Sequence, residues 1–215
     1  MDFALLVQKI TIWAIPVIFA ITVHEVAHGW VAKKLGDPTA DKMGRLTLNP
    51  IKHIDPIGTI LVPGLLLAMG GFIFGWAKPV PVAFNNLNNP KRDMAIVAAA
   101  GPAANLIMAI GWALVIKIGL VLAASNPMFK PLVLMGIAGI NINVILMVLN
   151  LLPIPPLDGG RVAVGLLPHS AGNALSRVEP YGFFILLALM YTGYLGKIMG
   201  PPIGTLMDGI GHLFT

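Results

Sequence analysis

The chain has 215 residues, of which 57% are hydrophobic and only 11% charged, with a mean hydropathy of +0.85. Soluble domains carry roughly a quarter charged residues, so this balance excludes an ordinary soluble globule and points to a protein embedded in a bilayer. The formal charge of +5 is spread over loops with no aromatic-basic patch. Nucleic acid is therefore not expected as a partner, and positive-inside bias accounts for the charge. With no cysteine, disulfides and thiolate metal sites are excluded.

The first apolar stretch, Phe3–Val31, is long enough for a tilted spanning helix. Asp2 and Lys9 flank its start and no small-x-small cleavage site stands out, so it reads as retained rather than as a removed leader. Its second half, "ITVHEVAHGWVAKK", sets His24, Glu25 and His28 just ahead of Lys33 and Lys34, which close the span. Centring a charge in hydrocarbon costs about 2.5–3.5 kcal/mol on insertion scales, so ionisable groups in a span are functional suspects. On a helix, residues four apart share a face. Both imidazoles of this H-E-x-x-H pattern can grip one cation while Glu25 projects beside it. The bland alternative, two core histidines and a protonated glutamate, leaves three polar groups needing partners in a dry site. At about 1.5 Å per residue, His28 lies roughly 8 Å and His24 roughly 14 Å from the Lys33 boundary. The pair is thus nearer the Lys33–Lys34 face, which the charge bias marks as cytoplasmic.

Lys33–Asp55 is polar, and its "GRLTLNPIKHIDP" favours short extended pieces and turns. His53 within it is expected at the interface rather than behind the histidine pair. Ile57–Ala77 carries no charge, yet Pro63, Gly64, Gly70, Gly71 and Gly75 interrupt it, which suits a re-entrant loop buried against protein. The loop "KPVPVAFNNLNNPKRD" follows. Two spans come next, Met94–Ala124 and Pro131–Leu152, joined by "SNPMFK" and expected to pack antiparallel. Gly101, Ala103, Ala104 and Gly111 offer a small-residue face for close helix contact. Asn105 and the Gly101–Pro102 pair read as packing and helix-shape elements.

The helix then breaks at "PIPPLDGG". Most other acidic residues lie in loops or near the termini, whereas Asp158 directly follows a span, which makes it the candidate third metal ligand. Its structural alternative is to cap a short helix over Arg161–Leu167. A last span is expected near Tyr181–Leu195, with the tail at the interface and His169 and His212 facing solvent or headgroups. The chain therefore predicts an all-α, polytopic helical membrane protein. About four to six membrane-embedded segments are expected, with a re-entrant or short extended element. A parity argument fixes one feature further. If Ile57–Ala77 crossed fully, the two following spans would bring Asp158 out on the face opposite the histidines. The segments Lys33–Asp55 and Pro79–Asp93 are therefore expected on the same side.

With "HEVAH" at 24–28, "GWAKPVPV" at 75–82, "GPAAN" at 101–105 and "NLLPIPPLDGG" at 150–160, the chain resembles the site-2 protease family of intramembrane zinc metalloproteases. The likeness is to its compact prokaryotic form, without PDZ or CBS domains. The resemblance implies a single intramembrane metalloprotease domain over residues 1–215, holding one Zn2+ per chain. It assigns His24, His28 and Asp158 as ligands and Glu25 as general base. It also matches Asn150 to an asparagine that hydrogen-bonds the substrate or the developing oxyanion. The implied reaction is hydrolysis of a peptide bond within, or at the edge of, the transmembrane segment of a single-span membrane protein, in a prokaryotic cell membrane. Such a substrate must unwind before attack, and "RLTLN" and "KPVPV" are candidate edges for pairing with the unwound stretch. Two competitors remain. A metal-ion transporter would string polar groups along a path through the membrane. The membrane zinc proteases that trim prenylated tails usually take a glutamate as third ligand. Oligomeric state has no signature in the sequence.

Overall fold

In a bilayer, the backbone of a long apolar run finds hydrogen-bond partners only in itself, which selects helices. The computed structural model describes residues 3–62 and 77–212. Its helices are α1 (Phe3–Lys34), α2 (Thr39–Lys42), α3 (Pro90–Ser125), α4 (Lys130–Asn150), α5 (Asp158–Leu166), α6 (His169–Ser176), α7 (Gly182–Tyr191) and α8 (Tyr194–His212). No β-strand forms among the described residues, and the all-α expectation holds. Among the described residues, four segments are long and apolar enough to cross a membrane: Val7–Lys34, Pro90–Ser125, Pro127–Asn150 and His169–Tyr191. Residues 63–76, most of the expected re-entrant stretch, lie outside the described residues.

The helix ends follow local chemistry. Lys33 and Lys34 occupy the last turn of α1, where cations suit the negative end of the helix, and Gly36 just beyond it takes φ 108°. Pro90 opens α3 in its first turn, where its missing N–H costs nothing. At the far end of α3, the Asn126 side chain accepts from the Met128 amide at 2.9 Å and starts the tight turn into α4. The resulting α3–α4 hairpin closes through Gly119 against Val133, Gly136 against Ile116, and Gly139 against the Trp112 ring. This corrects the expected small-residue face: Gly111 has nothing within 4 Å and Ala103 is exposed. Gly101 instead faces the histidines of α1.

Ala109, Ala113, Val144 and Val148 form the buried centre of the hairpin, and Leu186, Met199 and Ile210 cover it from α7 and α8. Outward-facing side chains are just as apolar: Ile107 is 70% and Val121 68% exposed. Against lipid tails that exposure carries no hydrophobic penalty. The expected span Tyr181–Leu195 is broken, because Gly193 at φ 73° turns α7 into α8. The tail expected at the interface is mostly α8, which packs into the core through Met199 and Ile210.

Between α2 and α3 the chain is tied down by backbone groups. The Lys78 amide donates to the His53 carbonyl at 2.9 Å, and the Asn88 amide to the Leu35 carbonyl at 2.9 Å. Arg45 donates to the carbonyls of Lys78 at 3.0 Å and Pro79 at 3.3 Å. Residues 53 and 78 thus bracket the 54–77 stretch side by side, and Lys33–Asp55 lies level with Pro79–Asp93. His53, expected at the interface, is only 2% exposed, and its Nε2 donates to the Thr47 carbonyl at 2.9 Å. It is needed inside the loop, where ring and carbonyl hold two segments together. Neither "RLTLN" nor "KPVPV" pairs as a strand among the described residues.

Candidate active site

Helix periodicity brings His24 and His28 onto the face of α1 that meets α3, with their Nε2 atoms 3.0 Å apart. The Pro-rich break after α4 folds the chain back so that α5 begins at the same depth. Asp158, its first residue, points Oδ2 to within 3.2 Å of His24 Nε2 and 3.3 Å of His28 Nε2. The capping alternative does not hold, since the residue at the cap of α5 is Leu157 and Asp158 already lies inside its first turn. The three ligand atoms lie within 4.8 Å of one another, with side-chain exposures of 9%, 11% and 12% for His24, His28 and Asp158.

Hydrogen-bond accounting fixes the tautomers. His28 Nδ1 lies 2.7 Å from the Val97 carbonyl oxygen, which can only accept, so Nδ1 carries the proton. His24 Nδ1 lies 2.6 Å from Asn105 Oδ1. The Asn105 amide nitrogen is already committed to Asn143 Oδ1 at 2.8 Å and the Ala20 carbonyl at 3.3 Å, so here too Nδ1 is the donor. In the neutral rings that bind metal, both Nε2 atoms then present lone pairs to each other and to a carboxylate oxygen that has no hydrogen bond of its own. Three buried acceptors facing inward with no proton between them call for a cation. The wall opposite leaves space for one. A Cβ on Gly101 would stand 2.6 Å from His24 Nε2 and closer still to His28 Nε2. Two imidazoles and one carboxylate, with room beside them, fit a zinc site that keeps a fourth position open.

Glu25 stands next to His24 on α1 and is half-buried. Its Oε2 accepts the Val80 amide at 2.7 Å, so "KPVPV" runs past the histidine pair and holds the carboxylate from its own backbone. Asn150 closes α4, and its Nδ2 donates to the Leu146 carbonyl at 3.0 Å within that helix. His169 and His212 are exposed, as expected. The sequence reading missed two contributors. Asn105, read as packing, is fully buried against His24; a lone amide in an apolar run is itself a signal, because it must find a partner. Asp37 anchors the strap that reaches Glu25: it is fully buried and accepts from the Ala83 amide at 2.7 Å and from Asn86 Nδ2 at 3.0 Å.

Residues 115–192 match the family described as Peptidase family M50. The chain is 40% identical over 206 residues to "Putative zinc metalloprotease YwhC" of Bacillus subtilis (strain 168), covering 94% of this chain and 90% of that protein. Rip2 of Mycolicibacterium smegmatis, which carries the same zinc metalloprotease designation, is 35% identical over 183 residues, covering 84% of this chain and 66% of its own. Rip2 of Mycobacterium tuberculosis (strain H37Rv) is 30% identical over 200 residues, covering 90% of this chain and 72% of its own. No solved structure matches.

Proposed function

The chain belongs to peptidase family M50, and on that premise we propose how its residues divide the work of an intramembrane zinc metalloprotease. It hydrolyses a peptide bond within, or at the edge of, a substrate's transmembrane segment. The observation that carries the assignment of residues is the convergence of three unprotonated acceptors, on His24, His28 and Asp158, beside Glu25. His24 Nε2, His28 Nε2 and an Asp158 carboxylate oxygen would hold the metal. A zinc held there would supply Lewis-acid polarisation of the scissile carbonyl and a water of near-neutral pKa.

The chain's own groups do the rest. The Glu25 carboxylate takes the proton from the attacking water and delivers it to the leaving amide nitrogen. One of its oxygens is held by the Val80 amide, which leaves the other free to turn toward that water. Asn150 supplies a neutral N–H donor for the substrate carbonyl oxygen, exchanging its bond to Leu146 for one to the substrate. The Pro and Gly breaks around Asp158 hold irregular backbone at membrane depth, where a substrate helix opened for attack can be accommodated. We assign the substrate as a single-span membrane protein and the residues 1–215 as one catalytic domain. The Lys33–Lys34 side faces the cytoplasm of a prokaryotic cell, in keeping with the basic loops gathered there.

The test is metal content and cleavage measured together on purified protein. Changing His24, His28 or Asp158 to Ala is expected to remove the zinc, while Glu25→Gln keeps it and abolishes cleavage. Loss of zinc from Glu25→Gln as complete as from His24→Ala would make Glu25 a ligand and overturn the assignment.

A further inference from the structure

Three consecutive same-face positions of α3 meet the histidine pair. The Val97 carbonyl accepts from His28 Nδ1, Gly101 leaves open the space between the Nε2 atoms, and Asn105 accepts from His24 Nδ1. The four-residue spacing of this face matches the spacing of His24 and His28, so one helix supplies the histidines and the other their outer hydrogen bonds. Pro102 lies inside this turn, and its missing N–H leaves the Ala98 carbonyl, next to Val97, without its usual helical donor. Behind Asn105 the chain of amides continues. Asn105 donates to Asn143 of α4, and Asn143 donates to its own Gly139 carbonyl at 2.8 Å. Asn105 and Asn143 are both fully buried.

We propose that Asn105, braced by Asn143, is a positioning residue that fixes the tautomer and aim of His24 toward the metal. Each amide in the relay has its orientation forced by the next, because the Gly139 and Ala20 carbonyls can only accept. Asn105 Oδ1 therefore faces His24 and holds the proton on Nδ1, leaving Nε2 as the lone pair. Without it, a buried His24 in a dry site is free to place its proton on Nε2 and turn it away from the metal. The proposal rests on the ligand set above.

The test uses full-length protein purified in detergent and stripped of metal. Zinc affinity is read by competition with a chromophoric chelator, and site geometry by the visible spectrum of the cobalt(II) form. Asn105→Leu is expected to weaken zinc binding roughly 10–100-fold and to alter the cobalt bands. Asn105→Asp keeps an acceptor facing His24 Nδ1, and a buried, protonated carboxyl there donates its O–H to Asn143 Oδ1 with Asn143 unturned, so affinity and spectrum should return toward wild type. Asn143→Leu should give a smaller loss in the same direction. Wild-type affinity and spectrum in Asn105→Leu would overturn the proposal, as would a loss that Asn105→Asp fails to restore, which marks a packing role alone. His24→Ala separates the two claims: if it binds zinc as wild type does, the ligand assignment itself falls and this proposal with it.

Discussion

Asp37 holds the Ala83–Asn86 segment through a buried carboxylate. Burial alone would push its carboxyl up. Hydrogen bonds from the Thr39 hydroxyl, Asn86, and the Ala83 and Thr39 amides outweigh that and hold its pKa below the ordinary carboxylate range. A depressed folded-state pKa means that the stabilisation is complete above the unfolded value of about 3.9 and drains away as pH falls through the lower folded value. Asp37→Ala should therefore cost about 1–3 kcal/mol near neutral pH. In detergent unfolding experiments the gap from wild type should close as pH drops below 4; a gap that stays constant would show that the carboxylate's charge is not what matters. At the site itself, Asn150→Ala is expected to cut the cleavage rate about 10²–10³-fold while retaining zinc. An unchanged rate would leave Asn150 as a helix-bound amide only. At this scale His24, Glu25 and His28 stood out as candidates because ionisable groups in a span have few innocent explanations, and Asp158 because it directly follows a span. Asn105 and Asp37 did not, because an amide or a loop carboxylate declares its partner only when the chain is folded.

Single elements carry tighter constraints than their hydropathy suggests. The loop bearing Asp158 is gripped between α4, α5 and the start of α7. A Cβ on Gly182 would run into the Pro155 carbonyl oxygen, whereas Gly196 in α8 has nothing within 4 Å. Gly182→Ala should destabilise the protein by about 1–3 kcal/mol and weaken zinc binding, because displacing Pro155 moves the Asp158 turn. Gly196→Ala should be neutral or stabilising by about 0.5–1 kcal/mol, as for alanine replacing glycine within a helix. Equal effects of the two in thermal unfolding would contradict this view of the loop. The long helices were readable from their apolar runs and flanking charges. The split of the last span was not. Gly193 is one glycine among 24, and its turn is required by how α8 must return over α4.

For the molecule as a whole, Asp158 can reach the histidines only if the loops before and after the 54–77 stretch share one side of the membrane. The Leu35–Asn88 and His53–Lys78 hydrogen bonds put the loops before and after the 54–77 stretch at one level. In a chain with no native cysteine, single cysteines placed at the exposed Lys42 and Asn88 should both label from the cytoplasmic face. Labelling from opposite faces would break the topology that lets Asp158 reach the histidines. What sequence could not supply was the second layer around the site. A span's outer hydrogen bonds depend on which face of the next helix it meets, and hydropathy does not encode that. The central claim, that His24, His28 and Asp158 together hold zinc while Glu25 stands beside it unbound, is tested most directly by zinc K-edge X-ray absorption on the purified protein. The account predicts two imidazole nitrogens and an oxygen shell at about 2.0–2.2 Å, one imidazole fewer in any zinc retained by His24→Ala, and an unchanged ligand shell in Glu25→Gln. A wild-type imidazole count other than two, or an oxygen shell that shrinks in Glu25→Gln, would contradict it.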